Sequence, residues 1–520
     1  MNRSPDHPPR VYLVGAGPGD PGLLTVRARD LLQAADCVIY DALANPRLLD
    51  HARPGAERIA AGKRASAHLL KQDQINQLMV ERARAGQTVV RLKGGDPYVF
   101  GRGSEEAIYL GQQGIDVEIV PGVPAAVAAP AYAGIPVTHR HTATSVTFIT
   151  AHEDPAKDES QIDYAALAQL AGRGGTLCFY MGMSRLPRIV DELSDHGLAG
   201  QTPAAIVQWG TLPRQQTCRA KLEDLVEAAA AADLAPPAVI VIGAVAGLDS
   251  RGLLRFYEHK PLFGRRVAIT RPRDQASALR QKLEEAGADV LEAAAIEITP
   301  TPDFSAVDEA LKNVRRYDWL VLTSANGVQG LKRRLAALDH DARHLGDVKI
   351  AAIGDATARA LGEMNLKADL VPERFLATAL ADALLQVAGP ELKGRRFLLL
   401  RADIANPQLP QTLRDAGGEV DDVPIYCTRP RTALAEEARH ALSKGAVDWI
   451  TFTSSSTARS FVELIAADNG LIQGAKLASI GPVTSATMKQ LGLAITAEAS
   501  PHDVDGLVEA ICRFERRGSA

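Results

Sequence analysis

From Val11 the chain alternates short β-branched runs, VYLVG, CVIYD, TVVRLKGGD and VEIVPG, with helix-like stretches rich in Ala, Leu and Arg. That order predicts an α/β fold whose strands are at least partly parallel. A second set of runs, VTFIT, TLCFYMG, AAIVQWG and AVIVIGAV, continues to about residue 246, after which LDSRGLLRFYEHKPLFGRR loses periodicity. A linker is therefore expected over 249–263. The longest uncharged run, Ile119 to Thr138, has the length of a membrane span but contains four prolines and two glycines, so it reads as a buried loop and short helix.

The remainder repeats itself. Arg265-Arg266-VAITR with EAGADV at 285–290 returns as Arg395-Arg396-FLLLR with DAGGEV at 415–420, and Asp318-Trp-LVLTS returns as Asp448-Trp-ITFTS, both at an offset of 130. AAIGDATARALGEMNL from 351 returns as ASIGPVTSATMKQLGL from 478. The C-terminal half is thus two related βα units, and a cleft between duplicated halves is a common ligand site.

Composition narrows the function. A chain of 520 residues with 46% hydrophobic and 23% charged positions is globular and long enough for two or more domains. The 58 basic and 62 acidic side chains give a formal charge of -4, which supplies no global field for nucleic acid or anionic membrane. Five cysteines, at 37, 178, 218, 427 and 512, form neither a zinc pattern nor a disulfide framework, so no metal and a reducing cytoplasm are expected. The N-terminal MNRSPDHPPR lacks the apolar run of a secretory signal.

Two glycine turns end strands in the first half. GAGPGDPG at 15–22 misses the dinucleotide fingerprint, which would need Gly where Asp20 stands, and RLKGGDPYVFGRG at 91–103 lets a ligand approach the backbone, with Asp96 able to accept from an amine or ribose hydroxyl. VGAGPGDPGLLTVRA, VIYD, GKR, VVRLKGGDPYVFGRG, EIVPGV, AGIPVTHR and FYMGM, in that order, resemble the uroporphyrinogen-III C-methyltransferases of the tetrapyrrole methylase group over about residues 10–248. The resemblance implies a fold of two α/β subdomains with S-adenosylmethionine between them. It implies cofactor contacts from Pro18, Gly94, Gly95, Asp96, Val99, Pro124, Ala125, Met181 and Gly210, with Pro124-Ala125 standing where relatives often carry Thr-Ala. It assigns Asp41 and Lys63 as proton acceptor and donor, although Asp41 also suits a helix cap and Lys63 a substrate carboxylate. Because uroporphyrinogen bears eight carboxylates, Arg91, Lys93, Arg102, His139 and Arg140 are candidate electrostatic partners. Such methyltransferases are typically homodimers. No region resembles the dehydrogenase and ferrochelatase module of siroheme synthases, so oxidation and iron insertion are expected on another protein.

The duplicated half resembles uroporphyrinogen-III synthase over about 264–515, through AITRPRDQA, LTSANGV, AAIGDATARAL, VPIYCTRP, TFTSSSTARSF, ASIGPVTSATMKQLGL and SPHDVDGLVEAI. The resemblance implies two Rossmann-like domains with two chain crossings, one holding 264–298 plus 429–515 and the other 299–428. It implies closure of hydroxymethylbilane to uroporphyrinogen III with inversion of ring D. Tyr426 matches the tyrosine proposed there to assist hydroxyl departure. Thr323, Ser324, Thr453, Ser454, Ser455, Gly481, Pro482 and Thr484 lie in turns expected to face the cleft, although a lone Ser or Thr there equally suits helix capping. Arg271 and Arg401, equivalent in the two copies, suit substrate carboxylates or bracing of the hinge.

The two resemblances together predict a bifunctional tetrapyrrole enzyme that makes uroporphyrinogen III and methylates it twice to precorrin-2, feeding siroheme or cobalamin. Three alternatives remain open at this point: a methylase of a later precorrin, a non-catalytic tetrapyrrole binder with one decayed half, and a nicotinamide oxidoreductase.

Overall fold

A computed structural model describes residues 10–62, 70–152, 161–249, 251–271, 273–374, 377–389, 392–466 and 469–518. The chain divides into two compact units. The first contains the described residues through Arg266, with Gln281–Asp289 and those from Cys512 onward; the second contains 267–280 and 290–511.

The first unit holds two sheets. Strands β1 (Arg10–Gly15), β2 (Cys37–Tyr40), β3 (Glu57–Ala60), β4 (Val89–Lys93) and β5 (Asp116–Val120) form a sheet of order β3-β2-β4-β1-β5. All its pairings are parallel, so every carboxyl end opens onto one edge. Apolar clusters cover both faces: Val14, Val38, Val90 and Leu92 on one side, Leu13, Ile39, Val89 and Leu110 on the other. Burial on both faces is what a parallel sheet requires.

Strands β6 (Ser145–Thr150), β7 (Gly175–Tyr180), β8 (Pro203–Gln208), β9 (Gln216–Lys221) and β10 (Ala238–Ile242) form the second sheet, of order β6-β7-β10-β8-β9. Only β6 and β7 pair in parallel; β10 is antiparallel to both its neighbours. Between the sheets in sequence lies the helix Ala125–Tyr132, with Pro130 inside it, as the proline-rich run predicts.

The segment over 249–263 is irregular, as its lost periodicity implies, but its described residues are not a bare tether. Tyr257 and Leu262 are buried, the Tyr257 ring packs on Tyr132 and Phe263, and Glu258 accepts hydrogen bonds from Thr217 and Gln215. Aromatic burial, which needs no periodic spacing, holds it to the first unit.

The second unit is built on β11 (Arg266–Ile269), β12 (Asp289–Glu292), β13 (Ile296–Pro300), β14 (Trp319–Leu322), β15 (Lys349–Ala352), β16 (Arg396–Ala402), β17 (Glu419–Pro430), β18 (Trp449–Phe452), β19 (Lys476–Ser479) and β20 (Ala497–Glu498). One sheet runs β12-β11-β18-β19-β20 and the other β13-β17-β16-β14-β15. The repeats explain these orders. β12-β11-β18-β19 matches β17-β16-β14-β15 strand for strand, so each sheet combines strands from both copies.

Among the described residues no helix is long and apolar enough to cross a membrane.

Candidate active site

Three turns meet at the carboxyl edge of the first sheet. Gly17 and Gly95 exchange backbone hydrogen bonds at 3.1 and 2.8 Å, tying the turn after β1 to the turn after β4. The turn after β5 joins them through Gly122, where an added β carbon would lie 2.3 Å from the Gly95 carbonyl oxygen and 2.8 Å from the Gly15 α carbon. Only glycines let these three backbones approach so closely. Gly95 itself has φ +67, and a β carbon there would meet nothing nearer than the Ala125 amide at 4.0 Å. Open space over a left-handed glycine is where a ligand can lie against backbone.

Asp96 fastens this assembly. Its Oδ1 accepts from the Tyr98 and Val99 amides at 2.8 and 3.2 Å, and its Oδ2 accepts from the Gly122 amide at 3.0 Å. The carboxylate expected to receive an amine or ribose hydroxyl also accepts from three backbone amides, two of them in an Asx turn at the tip of the GGDP turn.

Strained backbone collects in the same region. Of eight non-glycine residues with positive φ among the described residues, five are Phe100, Arg102, Met181, Trp209 and Thr211, in the loops after β4, β7 and β8. Such conformations persist where surrounding structure enforces them, and they gather at ligand sites. Met181 is 51% exposed despite its apolar side chain. Pro18, Val99, Pro124 and Ala125 are half-buried at the edge. At Gly210, expected at the cofactor, a β carbon would fall 2.2 Å from that of Ala129.

Asp41 follows β2 at the same edge, its side chain 32% exposed, and its Oδ1 accepts from Arg91 Nη2 at 2.5 Å. Lys63 lies outside the described residues. Arg91 and Lys93, expected to meet substrate carboxylates, are corrected by the structure: they are 2% and 3% exposed and point into the sheet's face. There Glu106 binds Arg91 Nε at 3.2 Å and Lys93 Nζ at 2.9 Å. Burial and the neighbouring guanidinium lower the Lys93 ammonium below its ordinary value, and Glu106 partly offsets them. Two cations alternating within an apolar strand signal a buried counter-ion, but only the fold identifies Glu106. Arg102 pairs with Glu105 at 2.7 Å with both side chains exposed, and His139 and Arg140 lie on exposed loop.

In the second unit the candidates form two sets, each at the carboxyl ends of parallel strands. Ser324 and Ser454, equivalent in the repeat, both cap helices, accepting from Gly327 and Thr457 amides at 3.1 and 3.2 Å. Thr323 beside Ser324 is half-buried. Tyr426 is 7% exposed, and its hydroxyl meets Ser324 Oγ at 3.0 Å. Burial raises its phenol above the ordinary range. Ser455 donates to the Val483 carbonyl at 3.3 Å, Thr484 is buried, and the buried Thr453 Oγ1 has no hydrogen-bond partner among the described residues. The two arginines of the repeat diverge. Arg401 is bidentate on Asp422 at 2.6 and 2.5 Å and donates to the Asn406 carbonyl, so its guanidinium braces β16 against β17. Arg271 makes no such pair among the described residues, and burial lowers its pKa.

The family model for tetrapyrrole (corrin/porphyrin) methylases matches residues 10–226, and that for uroporphyrinogen-III synthase HemD matches 277–509. A porphyrin biosynthesis protein HemD of Ruminiclostridium josui is 36% identical over 502 residues, covering 96% of this chain and 97% of its own. A uroporphyrinogen-III C-methyltransferase of Bacillus subtilis is 39% identical over 370 residues, 71% of this chain and 73% of its own. The crystal structure of uroporphyrin-III C-methyltransferase from Thermus thermophilus, complexed with S-adenosylhomocysteine, is 39% identical with a TM-score of 0.40, covering 46% of this chain and 99% of that one. The chain belongs to the enzymes of porphyrin biosynthesis in which a tetrapyrrole methylase is fused to a uroporphyrinogen-III synthase.

Proposed function

We propose that the second unit cyclises hydroxymethylbilane to uroporphyrinogen III, and that the first unit methylates this product twice with S-adenosylmethionine to give precorrin-2, for the siroheme or cobalamin branch. The observation that carries the methyl-transfer reading is the meeting of three glycine turns at one sheet edge with Asp41 beside them. The open face of Gly95, the half-buried Pro18, Val99, Pro124 and Ala125, and the exposed Met181 fit a nucleoside with a sulfonium tail. Bound there, S-adenosylmethionine supplies an activated methyl group, so the protein's task is positioning and proton management. An electron-rich pyrrole carbon gains the methyl, and a proton must leave the macrocycle. Asp41 is the proposed acceptor and Lys63 the proposed donor.

In the synthase half the linear substrate loses its hydroxyl readily, so the enzyme must fold it correctly and exclude closure to the type I isomer. Tyr426, beside Ser324, is the proposed aid to hydroxyl departure. Arg271 and the Thr453 hydroxyl, unpartnered among the described residues, are proposed substrate contacts. The boundaries 10–248 and 264–515 are proposed for the two halves. We also infer a homodimer through the methyltransferase half and a cytoplasmic location, the latter supported by five free cysteines.

The test supplies the protein with fresh hydroxymethylbilane under anaerobic conditions, with and without S-adenosylmethionine, and resolves the products by mass and isomer. Type III uroporphyrinogen without cofactor and a dimethylated product with it are expected. Type I isomer alone with no methyl transfer, from folded protein, overturns the reading.

A further inference from the structure

Glu106 is wholly buried on the helix Gly103–Gln112, yet it is a carboxylate in an apolar face. Two donors converge on its Oε1, Gln72 Nε2 at 3.0 Å and Arg91 Nε at 3.2 Å, and Lys93 Nζ forms an ion pair with Oε2 at 2.9 Å. Arg91 then extends to Asp41 Oδ1 at 2.5 Å through Nη2. The four groups balance, two cations against two carboxylates. Isolated buried charge is costly, and arginine cannot lose its proton, so the buried Arg91 guanidinium needs the carboxylates on its Nε and Nη2. Glu106 holds Nε, and Nη2 reaches the partly exposed Asp41.

We propose that Glu106 is a positioning residue for methyl transfer: acting through Arg91, it fixes the Asp41 carboxylate with one oxygen engaged and the other left for the substrate. The inference rests on the reading of Asp41 as proton acceptor. With Glu106 neutralised, Arg91 is free to turn, and Asp41 loses its fixed orientation. Misplacing a catalytic group by about 1 Å can lower turnover about 100-fold.

The test compares full-length wild type, Glu106→Gln, Asp41→Asn and the double variant. It measures kcat for methyl transfer, KM for S-adenosylmethionine, affinity for S-adenosylhomocysteine, and synthase activity as an internal control of integrity. Glu106→Gln should lower kcat about 10- to 100-fold while both cofactor constants and synthase activity stay within about twofold. In the Asp41→Asn background it should cost nothing further, since the two act as one unit. Wild-type kcat in Glu106→Gln, or losses that multiply in the double variant, would overturn the proposal while leaving Asp41 catalytic. Full activity of Asp41→Asn would instead remove the reading beneath it. If Glu106→Gln fails to bind S-adenosylhomocysteine, Gln72→Met, which removes one neutral donor to Glu106, decides: a loss in kcat of about threefold with unchanged KM is expected, and no change overturns the role.

Discussion

Phe100 and Tyr180 meet edge to face, their ring centroids 5.1 Å apart at 60°, and so join the loop after β4 to the end of β7 in the other sheet of the first unit. The Tyr180 hydroxyl accepts the Ala126 amide at 2.9 Å, at the first turn of the helix that follows β5. One tyrosine thereby links three elements around the proposed cofactor site.

That tyrosine should be visible in the alkaline limb of stability. Burial pushes its phenol from about 10 up to about 12. Between those values the unfolded chain releases a proton that the folded chain retains, so stability falls as pH rises through this window. Tyr180→Phe should flatten the loss between about pH 10 and 12, measured by denaturant unfolding at a series of pH values. An unchanged slope would remove the assignment.

Gly122→Ala should abolish binding of S-adenosylhomocysteine, because the new methyl meets backbone atoms of Gly95 and Gly15 that cannot move singly. A stability loss of about 1–3 kcal/mol is expected for such overpacking. Calorimetric titration checks the binding, and synthase activity should persist.

Asp96→Ala should leave three amides without their acceptor. Hydrogen bonds to a charged group contribute about 1.5–3 kcal/mol each, but these amides are near solvent, so a loss of about 3 kcal/mol in total is expected. Cofactor affinity should fall with it; wild-type affinity would show that the loop holds its shape unaided.

Tyr426→Phe separates two roles. As a structural partner of Ser324 alone, the hydroxyl contributes about 1 kcal/mol of stability and no rate. As an aid to hydroxyl departure, its removal should slow formation of type III uroporphyrinogen by about 100-fold and leave methyl transfer unchanged. Isomer analysis of the product under single-turnover conditions distinguishes these outcomes.

Local sequence determined the strands, the glycine turns and the duplication, because strand periodicity, turn chemistry and repeats are written in neighbouring residues. VYLVGAG and VVRLKGGD already carry a buried strand and the tight turn after it, and the offset of 130 pairs Ser324 with Ser454. What surrounds a charged side chain was beyond it. Nothing near Arg91 in sequence tells whether its guanidinium reaches solvent or Glu106, because the partners Asp41 and Glu106 lie 50 and 15 residues away and come together only when β2, β4 and a helix pack. The equivalent arginines 271 and 401 make the same point: one repeat position, two environments, since among the described residues only Arg401 finds a carboxylate, Asp422, on the strand packed beside it. Burial and long-range charge pairing are properties of packed elements, and the tertiary structure alone decides them.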